Sequence, residues 1–208
     1  MKDLRRNYTQ GELDVGKIDS NPITQFSKWF EEAMAAKLKE PNAMILSTVY
    51  NNAPDSRIVL LKGIKDDSFI FYTNYESNKA QQLSVNPMCS LVFPWIDIER
   101  QVIVRGSATK ISEKESDDYF YSRPRSSQIG AWASQQSRPI DSRELLENQL
   151  NSMIKKFENK QVQRPSHWGG FVVIPDHVEF WQGRPNRLHD RLLFTRNDQN
   201  WNLHRLQP

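Results

Sequence analysis

The sequence predicts a mainly β fold, a barrel or sandwich, with helices on its flanks. Three observations carry this expectation. Runs rich in β-branched and aromatic residues recur at short spacing, at residues 43–50, 55–64, 68–73, 88–95 and 100–112. The first three are joined by turn-forming sequences, Asn51-Asn52-Ala53-Pro54 and Lys65-Asp66-Asp67. Helical apolar periodicity occurs mainly before and after this block. At 208 residues the chain suits one domain with a real core. Residues 1–19 read as a flexible arm and 20–208 as the domain.

The arm is polar, carries Gly11 and Gly16 and has little periodicity, as a mobile terminus does. Asn21 then Pro22 supply a cap and a first-turn proline. Ile23, Phe26, Phe30, Ala33, Met34 and Leu38 repeat at three and four residues, so a helix begins there and Pro41 ends it. Within the second strand, Arg57-Ile58-Val59-Leu60-Leu61-Lys62 puts a cation at each end of an apolar run. Five steps apart, the two ends fall on opposite faces. Either each cation serves a site of its own or both are charged strand ends in water.

Ser77 caps a short helix from Asn78 to Val85 with Lys79 in its first turn. A cation there opposes the helix dipole, which makes sense if Lys79 and the free amides together hold an anion. Residues 113–122 read as a helix with Tyr119, Phe120 and Tyr121 near its end. The next ten residues, Arg123 to Trp132, crowd arginines, hydroxyls and a glycine together. They are either phosphate contacts or the cationic end of that helix. After a polar loop, Ser134 to Ser137, Asp141 starts a long helix striped by Leu145, Leu146, Leu150, Met153, Ile154 and Phe157. A proline-containing linker at 161–166, strands at 168–174 and 178–180, and a last strand near 201–206 complete the chain.

The stretch Trp181 to Arg191, Trp-Gln-Gly-Arg-Pro-Asn-Arg-Leu-His-Asp-Arg, is the most chemically loaded. Gly183 and Pro185 mark a turn, and a strand is expected from Arg187 onward. Alternation would aim Arg187, His189 and Arg191 the same way. That face is suited to a small anion, or it is a solvated edge whose arginines pair with Glu179 and Asp190.

Composition narrows the function. A net charge of +3 is too small to imply nucleic acid. No apolar stretch approaches the roughly 20 residues of a membrane span. The first residues lack the apolar region of a signal peptide, and the one cysteine, Cys89, lies in an apolar run, so a reducing cytoplasm is expected. The four histidines show no metal-ligand spacing, and no metal is expected. Phosphate-loop, dinucleotide and nucleophile-elbow motifs are absent. Anion-binding elements without a nucleophile point to a cofactor that carries the chemistry.

Several long motifs resemble one family. Val178 to Gly183, a three-residue spacer and Arg187-Leu188-His189-Asp190-Arg191 look like the C-terminal signature of pyridoxine/pyridoxamine 5′-phosphate oxidases. Arg57 to Lys62, Tyr72-Thr73-Asn74, Phe93-Pro94-Trp95, Glu99 to Val102, Ser122 to Arg125 and Ser127 to Trp132 match in order. The resemblance implies an FMN-binding split β-barrel, with FMN at the interface of a homodimer. It assigns FMN contacts to Arg57, Ile58, Val59, Leu60, Leu61, Lys62, Tyr72, Thr73, Lys79, Gln101, Gln136, Ser137, Trp181 and Arg191. Asn78 beside Lys79 is included, although the family usually has an arginine there. The substrate is expected at Lys62, Tyr119, Arg123, Ser127, Arg187, Leu188 and His189, with Arg187 and His189 catalytic. The arm segment Arg5, Arg6, Asn7 and Tyr8 is its lid, with Asn7 where an acidic residue is usual.

The implied reaction oxidises pyridoxine or pyridoxamine 5′-phosphate to pyridoxal 5′-phosphate, with dioxygen as acceptor and hydrogen peroxide as product. Two alternatives stand beside it. One is a flavin oxidase of another aromatic substrate, such as a phenazine precursor. The other is a non-catalytic carrier of FMN or pyridoxal phosphate.

Overall fold

The structure, a computed structural model, describes residues 7–198 and 200–208. Arg5 and Arg6 lie outside the described residues.

Helix α1 (Pro22–Ala35) is capped by the Asn21 side chain, which accepts from the amides of Ile23 and Thr24. It stops at Ala35, well before Pro41, because Lys37 takes a left-handed conformation at φ 56°. The buried stripe includes Trp29, which the periodicity did not single out, while Met34 faces out. Phe26 sits centrally, with ring centroids 5.0 Å from Phe69 and 4.7 Å from Phe93. Burying a ring of this size contributes roughly 1.5–3 kcal/mol.

Among the described residues nine strands follow: β1 (Ala43–Tyr50), β2 (Ala53–Leu60), β3 (Gly63–Lys65), β4 (Ser68–Asn74), β5 (Met88–Trp95), β6 (Arg100–Lys110), β7 (Trp168–Gln182), β8 (Asp190–Asn197) and β9 (Asn200–Leu206). The run expected at 55–64 is therefore two strands, broken at Leu61-Lys62. Leu61 turns into the core there, and its amide bonds the Asn42 carbonyl. β1 and β2 are joined by Asn51-Asn52, and β3 and β4 by Asp66-Asp67, each pair at positive φ. Asn and Asp tolerate that conformation, and such turns match the strand twist.

The sheet runs β2-β1-β5-β6-β7-β4-β3, with β8 on β7 and β9 on β8. Strand β7 organises it and replaces the two strands expected at 168–174 and 178–180. One edge pairs β6 from Phe171 to Gln182. The other edge pairs β4 up to Val173 and β8 from His177 onward, so the sheet splits between them. At the split Arg105 pairs His177 and Gly106 pairs Pro175, leaving Asp176 as a bulge. Gly106 is needed there, since a Cβ would lie 2.0 Å from the Ile174 carbonyl oxygen.

The remaining helices are α2 (Asn78–Val85), α3 (Glu113–Ser122), α4 (Arg125–Ala133) and α5 (Arg143–Lys156). α3 begins with a reciprocal cap between Ser112 and Glu115. α4 lies where the sequence offered a helix end or a phosphate loop. Pro124 breaks α3 from it, and the chain re-enters a helix one residue later. On α5 only Leu146, Met153 and the adjoining Phe157 turn inward, while Leu145, Leu150 and Ile154 stay exposed. The expected stripe is thus only half buried. Phe157 joins Phe120, Ile129, Val162 and Trp168 in a second small core, the floor beneath α4.

Candidate functional site

A cavity of about 610 Å³ opens among β2, β4, α2, α3 and α4. β2 contributes Arg57, Ile58, Val59 and Leu60, and Lys62 follows from the break after it. Tyr72, Thr73 and Asn74 come from β4, Lys79 from α2, Tyr119 from α3, and Arg123 and Ser127 from the α3–α4 junction. Gln136 and Trp168 complete the wall.

Lys79 is buried, and its ammonium reaches only hydroxyls, Thr73 Oγ1 at 3.4 Å and Ser77 Oγ at 3.5 Å. Among the described residues no carboxylate pairs with it. Burial first, and the Arg57 charge second, hold its pKa below the usual lysine value. Ser77 does not cap α2 with its side chain; the hydroxyl donates to the Asn74 carbonyl instead, so the first-turn amides stay free. Arg57 is half-buried and shared among Asp55 at 2.6 Å, Thr48 Oγ1 at 2.7 Å and Gln82 Oε1 at 2.9 Å.

At Arg123, burial also penalises the charge. Its guanidinium lies 4.4 Å from the Trp168 ring, and Nη1 is buried with no hydrogen-bond partner. Ser127 stands nearby in the first turn of α4, a helix with no side-chain cap and no acid in that turn. Tyr72, Tyr119 and Trp168 form an aromatic wall, with Tyr72 stacked on Tyr119 at 3.8 Å and on Trp168 at 5.5 Å. Burial pushes the Tyr72 phenol up to about 12, so it stays a donor. Trp168 was read only as a strand start, and nothing in its local sequence marks it as part of this wall.

The other expected residues gather elsewhere. Gln101 pairs Trp181 across β6 and β7, and Trp181 pairs Arg191 across β7 and β8. Directly registered side chains share a face, so these three form one row. Arg187 and His189 do not continue it as a strand. Pro185–Arg187 is a 3₁₀ turn with Asn186 and Arg187 at positive φ, and β8 starts only at Asp190. The alternating Arg187–His189–Arg191 face is therefore absent. Arg191 pairs with Glu179 at 2.7 Å, and Arg187 and Leu188 are exposed.

His189 packs 4.6 Å from the Trp181 ring and 5.7 Å from Tyr8. Its Nδ1 accepts the Arg184 amide at 3.1 Å, which assigns the proton of the neutral ring to Nε2. Burial and then the Arg187 charge lower its pKa. Of the arm, Asn7 is exposed, and the chain from Tyr8 to Leu13 is docked on this cluster by backbone bonds to Glu99 and Asp190.

The expected residues thus fall in two clusters. No member of the Gln101–Trp181–Arg191 row, nor Arg187 or His189, lines the cavity. Leu61 is in the core, Ser137 is exposed outside the cavity, and Asn78 lines a separate depression with Tyr50 and Gln82. Asn78 and Lys79 are adjacent but lie about 100° apart around the helix, so they face different spaces. The chemistry of the cavity's lining fits a phosphorylated cofactor. It offers a buried ammonium without a carboxylate partner among the described residues at one helix start, and a half-buried guanidinium with a buried, orphan Nη1 beside another.

Comparisons with known proteins bear on family and fold. Residues 30–155 match the family model described as pyridoxamine 5′-phosphate oxidase. Residues 168–208 match the pyridoxine 5′-phosphate oxidase C-terminal dimerisation region. The chain is 52% identical over 208 residues to the pyridoxine/pyridoxamine 5′-phosphate oxidase of Trichormus variabilis, covering 99% of this chain and 97% of that protein. It is 53% identical to the protein of that name in Synechocystis, covering 100% and 98%. Among solved structures, PhzG from Burkholderia lata in complex with tetrahydrophenazine-1-carboxylic acid superposes with a TM-score of 0.88 at 28% identity, covering 95% of this chain and 100% of that one. A pyridoxamine 5′-phosphate oxidase-related, FMN-binding protein from Nostoc punctiforme shares the fold, with a TM-score of 0.71 at 18% identity, covering 88% and 97%.

Proposed function

The chain belongs to the pyridoxine/pyridoxamine 5′-phosphate oxidase family, and on that footing we propose that it oxidises pyridoxine or pyridoxamine 5′-phosphate to pyridoxal 5′-phosphate. Dioxygen is the acceptor and hydrogen peroxide a product; with the amine substrate, water also enters and ammonia leaves. The observation that carries this reading is the pair of desolvated cations, Lys79 and Arg123, on one cavity. Two phosphates, one on the cofactor and one on the substrate, would supply the missing partners.

FMN, when bound, supplies the electron-accepting ring; binding and orientation fall to the protein. Lys79, Thr73 and the free amides of α2 hold the cofactor phosphate, with Arg57 behind them. Arg123, Ser127, Tyr119 and Lys62 hold the substrate phosphate. The Tyr72–Tyr119–Trp168 wall keeps water from that side. Anchoring both molecules by their phosphates fixes their separation, and orientation alone removes a large part of a bimolecular barrier. His189 donates from Nε2 to the polar substituents of the pyridine, and Arg187 adds charge there.

Because these last two residues do not line the cavity of their own chain, we infer that a homodimer assembles the site. Each cavity is completed by the partner's Trp181, Arg187, His189 and Arg191, in keeping with the match to a dimerisation region. No helix among the described residues is long and apolar enough to cross a membrane. A cytoplasmic enzyme is consistent with the buried, inert Cys89 thiol, whose pKa burial raises to about 12.

The likeness to PhzG supports a second reading, oxidation of a non-phosphorylated aromatic. The orphan guanidinium of Arg123 favours the first. Incubating FMN-loaded protein with pyridoxamine 5′-phosphate in air should yield pyridoxal phosphate and peroxide in equal amounts. Binding without turnover would identify a carrier instead, and turnover of unphosphorylated substrates alone would favour the second reading.

A further inference from the structure

Glu99 lies between the 3₁₀ turn at Ile96–Ile98 and β6, in a left-handed conformation with φ 56° and ψ 37°. Its side chain is buried, at 2% exposure for the residue. One carboxylate oxygen, Oε2, accepts the backbone amides of Thr9 at 2.8 Å and Gln10 at 2.9 Å. The backbone carbonyl of the same residue accepts from the Gly183 amide at 2.7 Å and from Gln182 Nε2 at 3.2 Å. A single residue thereby ties the N-terminal segment to the end of β7, where the chain turns toward Arg187 and His189. Further along the segment, Arg184 donates to the Gly11 carbonyl and Asp190 accepts the Leu13 amide, each at 3.1 Å.

The immediate consequence of this tie is the placement of Tyr8, one residue before the bonded amides. Its ring meets Trp181 edge-on at 5.8 Å and His189 at 5.7 Å. It lies over Gly183, where a Cβ would come within 2.8 Å of the ring. We propose that Glu99 is a positioning residue for the reaction: its buried carboxylate latches the Thr9–Gln10 backbone, so that Tyr8 closes over the Trp181–His189 face. Glu99 need not touch substrate; it acts through Tyr8. The inference rests on the function proposed above for that face.

The test is a double-mutant cycle on the full-length, FMN-loaded protein, using Glu99→Ala, Tyr8→Ala and both together. Amide hydrogen exchange at Thr9 and Gln10 is measured alongside kcat and KM for pyridoxamine 5′-phosphate. Glu99→Ala should speed exchange at both amides by at least about tenfold, since it removes their shared acceptor. It should lower kcat/KM to about the level of Tyr8→Ala, and the double variant should be no worse than either, because all three lose one coupled unit. Glu99→Gln keeps an acceptor oxygen and should recover much of the loss. If Glu99→Ala does not fold, Glu99→Asp keeps the charge but withdraws it by one methylene, and the same cycle is read on it. Losses that multiply in the double variant, or amides that stay protected without the Glu99 carboxylate, would overturn the proposal while leaving the function intact. A wild-type protein without turnover would overturn both.

Discussion

Burial works against the charge of Lys79, and this makes its role testable through pH. Its pKa is lowered, so raising pH through that depressed value neutralises the ammonium, while unfolded lysine remains charged up to about the ordinary 10.5. The unfolded chain then binds more protons, and the apoprotein's penalty for burying this group is relieved as pH rises across that window. FMN affinity should move the opposite way, falling as the ammonium is lost. Titrating apoprotein with FMN across pH should show this fall in wild type and a weaker, flatter affinity in Lys79→Met. A variant that keeps both the affinity and the pH dependence would place the phosphate elsewhere. At the other cluster, Arg187→Leu should lower kcat/KM at least tenfold, about 1.4 kcal/mol, without unfolding the protein or releasing FMN. Steady-state kinetics on the folded, yellow variant checks this, and wild-type rates would remove Arg187 from the site. Lys79 was legible in the sequence because a cation at a helix start needs a reason. Asn78 was grouped with it by adjacency, and helix geometry separates them.

Strand β7 shows how a single element decides what can meet. Its N-terminal half carries Trp168 to the cavity wall, and its C-terminal half carries Trp181 to the other cluster. The bulge at Asp176, opposite Gly106, is where its outer edge passes from β4 to β8. Gly106→Ala would press a methyl against the Ile174 carbonyl, backbone against backbone, with no flexible side chain to yield. It should destabilise the fold by roughly 1–3 kcal/mol, as overpacking does. Thermal unfolding should show the loss, and an unchanged Tm would mean that the bulge relaxes easily. The strand pattern was readable because β-branched and aromatic runs with Asn-Asn and Asp-Asp turns have a local cause. β7 was read as two strands because Pro175 and Asp176 look like a break, whereas pairing with β6 carries the strand through them. α4 is hidden in the sequence for a related reason, since Pro124 ends α3 and also begins the next helix. The strand expected at Arg187 failed because positive φ at Asn186 and Arg187 leaves little local signal without a glycine. The face of α5 that carries Leu145, Leu150 and Ile154 reads as core by period alone, yet it has too little fold against it to be covered.

At the scale of the whole molecule, the proposed function needs both clusters in one site. The cavity has the cations proposed to hold the phosphates and an aromatic wall, and the Trp181–His189 face has the groups proposed to meet the reacting ring. The motif resemblance implies residues of both clusters without showing that only some of them line the one cavity. The protein should therefore be an obligate dimer with two FMN molecules, and sedimentation of a stable monomer that still holds FMN would refute this. Complementation is the most direct test of the shared site. Arg123→Leu disables the cavity and Arg187→Leu the opposite face, and each homodimer should be nearly inactive. In a mixed dimer, the Arg187→Leu chain supplies an intact cavity and the Arg123→Leu chain supplies an intact face, so one of two sites is whole. With random pairing half the dimers are mixed, so co-expression should restore roughly one quarter of wild-type activity. Activity no higher than that of the two inactive parents would contradict the shared site and place both clusters in one chain's own active centre.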